Sequence, residues 1–149
     1  MSGFSVGGSK VSYGPSAANE VWVYDGANIN PQSVASIESL IEKQFKLPTT
    51  GVGSLTSAGS ADSLSSNSFT LQSATSYLTI HYGQGELLFH WDKPLAANTT
   101  FNIGNLPHGI SNYRAFNTIA APVPEPSTYA MTICGLGFVG FMARRRKRS

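Results

Sequence analysis

The chain has 149 residues, enough for one domain with a modest core, and only 12 % of them are charged. The net charge of +2 is unevenly spread: five of the ten Lys and Arg residues lie between Arg144 and Arg148, so five remain upstream against seven acids up to Asp92. No basic patch exists outside the tail, which argues against a nucleic-acid partner, and the single cysteine, Cys134, excludes an intrachain disulfide.

Residues 1–19 are rich in Gly and Ser, with weak alternation that predicts one edge strand around Lys10 to Tyr13. The run VWVY from Val21 to Tyr24 predicts a second strand. A helix follows, with Asn30 as its cap and Pro31 at its first position. Val34, Ile37, Leu40, Ile41 and Phe45 recur at helical spacing, leaving Glu38, Glu42, Lys43 and Lys46 outside, and Pro48 ends the pattern. From Gly51 to Ser68 the composition collapses to Gly, Ser and Ala, which predicts a flexible loop.

The clearest pattern is YLTIHYG followed by ELLFHWD around Gln84-Gly85, which reads as a hairpin closed by that pair. With Gly83 opposite Glu86, Tyr82 faces Leu87, Ile80 faces Phe89 and Leu78 faces Trp91. The other face then carries Tyr77, Thr79 and His81 against Asp92, His90 and Leu88. One apolar and one polar face describe a half-buried antiparallel pair. Further short strands are predicted at Phe69 to Gln72, Thr99 to Ile103 and Tyr113 to Ile119. Together these elements predict a mainly β fold: a small antiparallel β-sandwich with one helix packed on an end or edge.

Few residues suggest chemistry. His81, His90 and Asp92 share the hairpin's polar face and offer donors for zinc, but a solvated sheet face explains them more simply. His108, in Pro107-His108-Gly109, reads as a turn residue. Paired carboxylates are absent, Glu38 and Glu42 form an ordinary helical stripe with Lys46, and the Ser-rich loop has no base beside it. The expectation is no catalytic residue, no metal and no cofactor. Tyr77, Tyr82, Trp22 and Trp91 are candidates for stacking on sugar rings, with Tyr82 and Trp91 better explained as core. Gly135, Gly137 and Gly140 satisfy G-x-G-x-x-G, but only nine residues follow and five are cations, so the dinucleotide context is missing. These glycines suit close helix approach within a membrane instead. Thr49-Thr50 and Thr99-Thr100 are isolated pairs, without the regular array that ice binding needs.

The segment VPEPSTYAMTICGLGFVGFMARRRKRS, from Val123 to Ser149, orders three parts. Pro124 and Pro126 fix their φ angles and keep Pro124-Glu125-Pro126 extended and accessible. An uncharged stretch from Thr128 to Ala143 follows, and helical it would rise about 24 Å, short of a bilayer core of about 30 Å. Arg144, Arg145, Arg146, Lys147 and Arg148 then form a basic anchor that holds its side of a membrane in the cytoplasm. Cys134, inside the stretch, reads as a small apolar packing residue before a lipidation site.

These parts, in this order, resemble the PEP-CTERM sorting signal, an element also labelled ice-binding protein C-terminal domain. The resemblance implies a substrate of an exosortase, a membrane-embedded processing enzyme that would recognise Pro124, Glu125 and Pro126. It implies passage through the inner membrane of a Gram-negative bacterium to the cell surface or extracellular matrix, and exopolysaccharide as a further candidate partner. The opening MSGFSVGGSKVSYGP lacks the apolar core of a signal peptide, so export is expected to need an upstream segment or another route. The expected organisation is an exported β-rich domain over residues 1–121 and a sorting signal over 122–149. That signal would comprise a transmembrane helix at about 128–143 and a basic tail at 144–149. The expected function is that of a sorted surface or matrix protein, with a permanently anchored single-pass membrane protein as the alternative and a metal-dependent enzyme a poorer one.

Overall fold

The computed structural model describes residues 2–24, 29–122, 131–134 and 136. It is mainly β, with two antiparallel sheets and one short helix. β1 (Ser2–Val6), β2 (Ser9–Gly14), β8 (Thr100–Gly104) and β5 (Ser68–Thr70) form a four-stranded sheet in the order β1-β2-β8-β5. β3 (Glu20–Tyr24), β7 (Gly85–Leu95), β6 (Thr75–Tyr82), β9 (Ile110–Thr118) and β4 (Leu55–Ala61) form a five-stranded sheet in the order β3-β7-β6-β9-β4.

The inner faces of the two sheets share one core. Val6, Val11, Tyr13, Phe69, Phe101 and Ile103 of the smaller sheet meet Leu78, Ile80, Tyr82, Leu87, Phe89, Trp91, Tyr113 and Ala115 of the larger. Aromatic rings hold the seam: Tyr13 lies 5.0 Å from Phe89, Phe101 meets Phe89 edge-on at 5.4 Å, and Phe69 stacks on Tyr113 at 4.2 Å. The apolar face predicted for the hairpin is therefore the face that is buried.

The hairpin register differs from the expected one by two residues. Tyr82 pairs with Gly85, Ile80 with Leu87 and Leu78 with Phe89, so Gly83 and Gln84 make the turn rather than Gln84 and Gly85. Gly83 has φ +50° while Gln84 stays out of the positive region. A glycine at the first central position is what the mirror-image hairpin turns require. Because side chains alternate with a period of two, a slip of two preserves both faces. An added Cβ on Gly83 would also come within 2.7–3.0 Å of the exposed His108 ring. Gly83→Ala is expected to cost about 1–2 kcal/mol in urea unfolding, most of it from backbone strain that moving His108 does not relieve.

Other expectations needed correction. The N-terminal segment is a hairpin of two strands, turned by Gly7 (φ 52°) and Gly8 (φ 82°), and β2 is not at an edge. The predicted loop from Gly51 to Ser68 contains β4, which pairs with β9 along its length and bulges between Ser57 and Gly59. Only Leu55 and Ala58 of β4 are buried, so its apolar content is too thin to announce a strand.

The helix, α1 (Val34–Phe45), begins later than expected. Ser33 caps it, its side chain accepting from the Ser36 amide at 3.2 Å, and Lys46 ends it in the left-handed conformation. It lies across the outer face of the larger sheet instead of at an end or edge. Ile37 and Ile41 pack there with Leu55, Tyr77, Leu88 and Phe116. The hairpin face expected to be solvated is thus a second, covered interior.

Candidate functional site

Two features of the chain bear on function: the exit of the chain toward the tail, and a polar cluster beneath the segment that leads into α1.

The exit is tied to the fold until Ile119. Its amide donates to the Ser54 carbonyl and its carbonyl accepts from the Gly53 amide, both at 2.9 Å. The Ser54 hydroxyl closes the turn by donating to Gly51 at 2.7 Å. Ala120, Ala121 and Pro122 are exposed. Pro124 is the fifth residue after Ile119, so an extended chain carries it at most roughly 17 Å from the folded domain. Pro124, Glu125 and Pro126, and Arg144, Arg145, Arg146, Lys147 and Arg148, lie outside the described residues. Met131 to Cys134 and Leu136 are helical, and Met131, Ile133, Cys134 and Leu136 are exposed, so Cys134 makes no core contact. Among the described residues no helix is long and apolar enough to cross a membrane. The predicted span at 128–143 falls mostly outside them.

The polar cluster sits on the outer face of the larger sheet. Pairing sets His81 opposite Glu86 and Asn112, and Thr79 opposite Arg114. Residues 29–33 cross above them as a strap. Gln32 is the link: its Nε2 donates to Glu86 Oε2 at 3.1 Å and to the Ile29 carbonyl at 2.6 Å, while its own carbonyl accepts from Arg114 Nη2 at 2.8 Å. Arg114 Nη1 donates to the carbonyls of Ala61 and Tyr113, and Nη2 also reaches Asp62 Oδ1 at 2.7 Å. One buried guanidinium thus holds the strap, the end of β4 and its own strand together.

Glu86 is fully buried, and burial pushes its carboxyl up from 4.5 to about 7. Hydrogen bonds from Gln32 and Thr79 and the charge of Arg114 oppose that rise without cancelling it. The folded chain therefore holds this proton more tightly than the unfolded chain does. The neutral carboxyl contributes stability that is complete below about pH 4.5 and is lost as pH rises through about 7, roughly 3 kcal/mol at ~1.4 kcal/mol per unit. Burial, with the Arg114 charge added, lowers His81 below its ordinary 6.5 and favours the neutral ring.

The metal candidates do not assemble. His81 faces Glu86, whereas His90 is four residues further along β7, a separation of roughly 13 Å. His90 stacks on Tyr77 at 4.6 Å and lies 5.0 Å from Phe45, with Asp92 3.8 Å from its Nε2. Among the described residues no three His, Cys, Asp or Glu side chains gather as a metal site. Of the sugar-stacking candidates, Tyr77, Tyr82 and Trp91 are core, while Trp22 is 41 % exposed on edge strand β3 with its Nε1 donating to Glu20. The Glu86–Arg114–Gln32 cluster was not foreseen. Its only sequence trace is an acid and a base at outward-alternating positions within otherwise apolar strands.

No curated protein and no solved structure matches the chain. A family model does: the PEP-CTERM protein-sorting motif, over residues 122–147. The match begins three residues past Ile119, whose amide and carbonyl are bonded to Ser54 and Gly53 of the β-domain. It contains every residue that the sequence singled out for recognition and all but Arg148 of the basic anchor. Such a signal implies membrane-associated sorting toward the cell surface, with an exosortase as processing partner. The chain carries a PEP-CTERM protein-sorting motif directly behind a two-sheet β-domain.

Proposed function

We propose that this protein is an exported surface or extracellular-matrix protein whose β-domain is delivered and released by an exosortase. The observation that carries the reading is the sorting motif at residues 122–147, placed just after the chain leaves β9 and its partner turn. In this reading residues 128–143 insert as a short helix, the basic run from Arg144 to Arg148 stays on the cytoplasmic side, and Pro124-Glu125-Pro126 meets the enzyme outside. The tether of roughly 17 Å keeps the folded domain close to the membrane during recognition, so processing is what frees it. The domain itself serves as a structural or binding module rather than an enzyme, with matrix exopolysaccharide as its partner and Trp22 as the aromatic available to it.

Intact mass of the protein recovered from its native host tests this. A mature chain ending near Pro124 to Ser127 is expected. A chain that keeps Arg144 to Arg148 would replace this reading with a permanently anchored single-pass membrane protein.

A further inference from the structure

The buried carboxyl of Glu86 lies outside the sorting motif, and its surroundings are built around it. It lies fully buried under the strap of residues 29–33, where Gln32 Nε2 reaches it at 3.1 Å. The nearest cation, Arg114, already spends both terminal nitrogens on Ala61, Tyr113, Gln32 and Asp62. Gln32 joins the two, touching Glu86 with its side chain and Arg114 with its carbonyl, while the Thr79 hydroxyl bonds Glu86 beside it. Among the described residues, Thr79, His81, Tyr24 and Asp62 complete the surroundings. β6 presents His81, held toward its neutral form by burial, and β3 presents Tyr24 directly opposite Glu86, its hydroxyl turned to Gln44 of α1. Asp62, beyond β4, is exposed and paired with Arg114, and α1 buries only Ile37 and Ile41.

We propose that Glu86 is a proton-operated latch: with its carboxyl neutral the strap and α1 stay closed on the sheet, and ionisation releases them. An ionised carboxylate in this place must be hydrated, and the shortest path for water is to lift the strap that covers it. Release would uncover Tyr77, Leu88 and Phe116, the apolar floor beneath α1, while the inter-sheet core stays closed. The inference does not depend on processing by an exosortase.

Amide hydrogen exchange on the full chain, corrected for the intrinsic pH dependence of exchange, tests it between pH 4.5 and 8. The raised carboxyl predicts that the opening constant of α1 amides such as Ile37 and Ile41 climbs roughly 150-fold over this range and begins to level off above about pH 7. Phe101 and Ile103, in the smaller sheet, should stay far better protected than α1 at every pH, because they exchange only when the whole domain unfolds. Glu86→Gln keeps the shape without the proton and should make α1 independent of pH. A flat wild-type profile, a climb retained in E86Q, or α1 amides no less protected than Phe101 and Ile103 would each overturn the latch. If E86Q fails to fold, carbon-13 titration of the wild-type Glu86 carboxyl decides the matter. A midpoint near 7 that the Gln32 side-chain amide also reports supports the latch, and a midpoint near 4.5 or an unresponsive Gln32 sinks it.

Discussion

Replacing Pro124, Glu125 and Pro126 together by alanine is expected to abolish processing while leaving the β-domain folded. The reason is geometric as well as chemical. Proline fixes φ and carries no amide donor, so two prolines in three residues disfavour absorption of such a sequence into a strand or a helix. Glu125 supplies the only charge between Arg114 and Arg144. Alanine at all three positions favours helix and would remove the element that, in the proposed reading, the exosortase recognises. The backbone bonds of Ile119 to Gly53 and Ser54 precede these residues and are untouched by the change. Near-complete accumulation of the unprocessed chain in the membrane fraction, with an unchanged Tm for the domain, is the expected result. Normal release of the triple variant would remove the assigned role of these residues.

The second large effect belongs to the core. Phe89→Ala is expected to cost about 3–5 kcal/mol in denaturant unfolding, against less than about 0.5 kcal/mol for Trp22→Ala. Phe89 is fully buried at the centre of β7, with ring centroids 5.0 Å from Tyr13, 5.4 Å from Phe101 and 5.9 Å from Phe4. Those three partners belong to the opposite sheet, so truncation opens a cavity at the seam that neither backbone can collapse to fill. Trp22 is larger, yet it sits on an edge strand in partial contact with water. Comparable losses for the two variants would mean that the seam relaxes more freely than its ring geometry implies.

Phe89 also shows what could be read directly from the chain. Its place on the apolar face follows from strict alternation in YLTIHYG and ELLFHWD, and that survived an error in the turn because a two-residue slip returns every side chain to its own face. The same slip was not harmless for chemistry. It set Glu86 opposite His81 and carried His90 roughly 13 Å away, so the two histidines weighed as metal donors do not meet. The existence of α1 was visible in its period, but its start was not. Asn30 and Pro31 are in the strap, and Ser33 makes the cap, because Gln32 is held over the sheet by Glu86 and Arg114.

The sorting signal was legible because it is a linear message: its parts act by local stiffness, apolar length and charge, all of which survive without a fold. The polar cluster is the opposite case. Gln32, Asp62, Glu86 and Arg114 come from four separate segments and acquire their properties only when β4, β7 and β9 share a sheet and the strap closes over it. β4 itself belongs to this class, since a Gly- and Ser-rich run becomes a strand only by pairing with β9. Sequence alone determined the address and the alternation of the central hairpin, both of which rest on near neighbours. Tertiary structure decided which second face is dry, and burial there makes an ordinary glutamate a group that holds its proton to about pH 7.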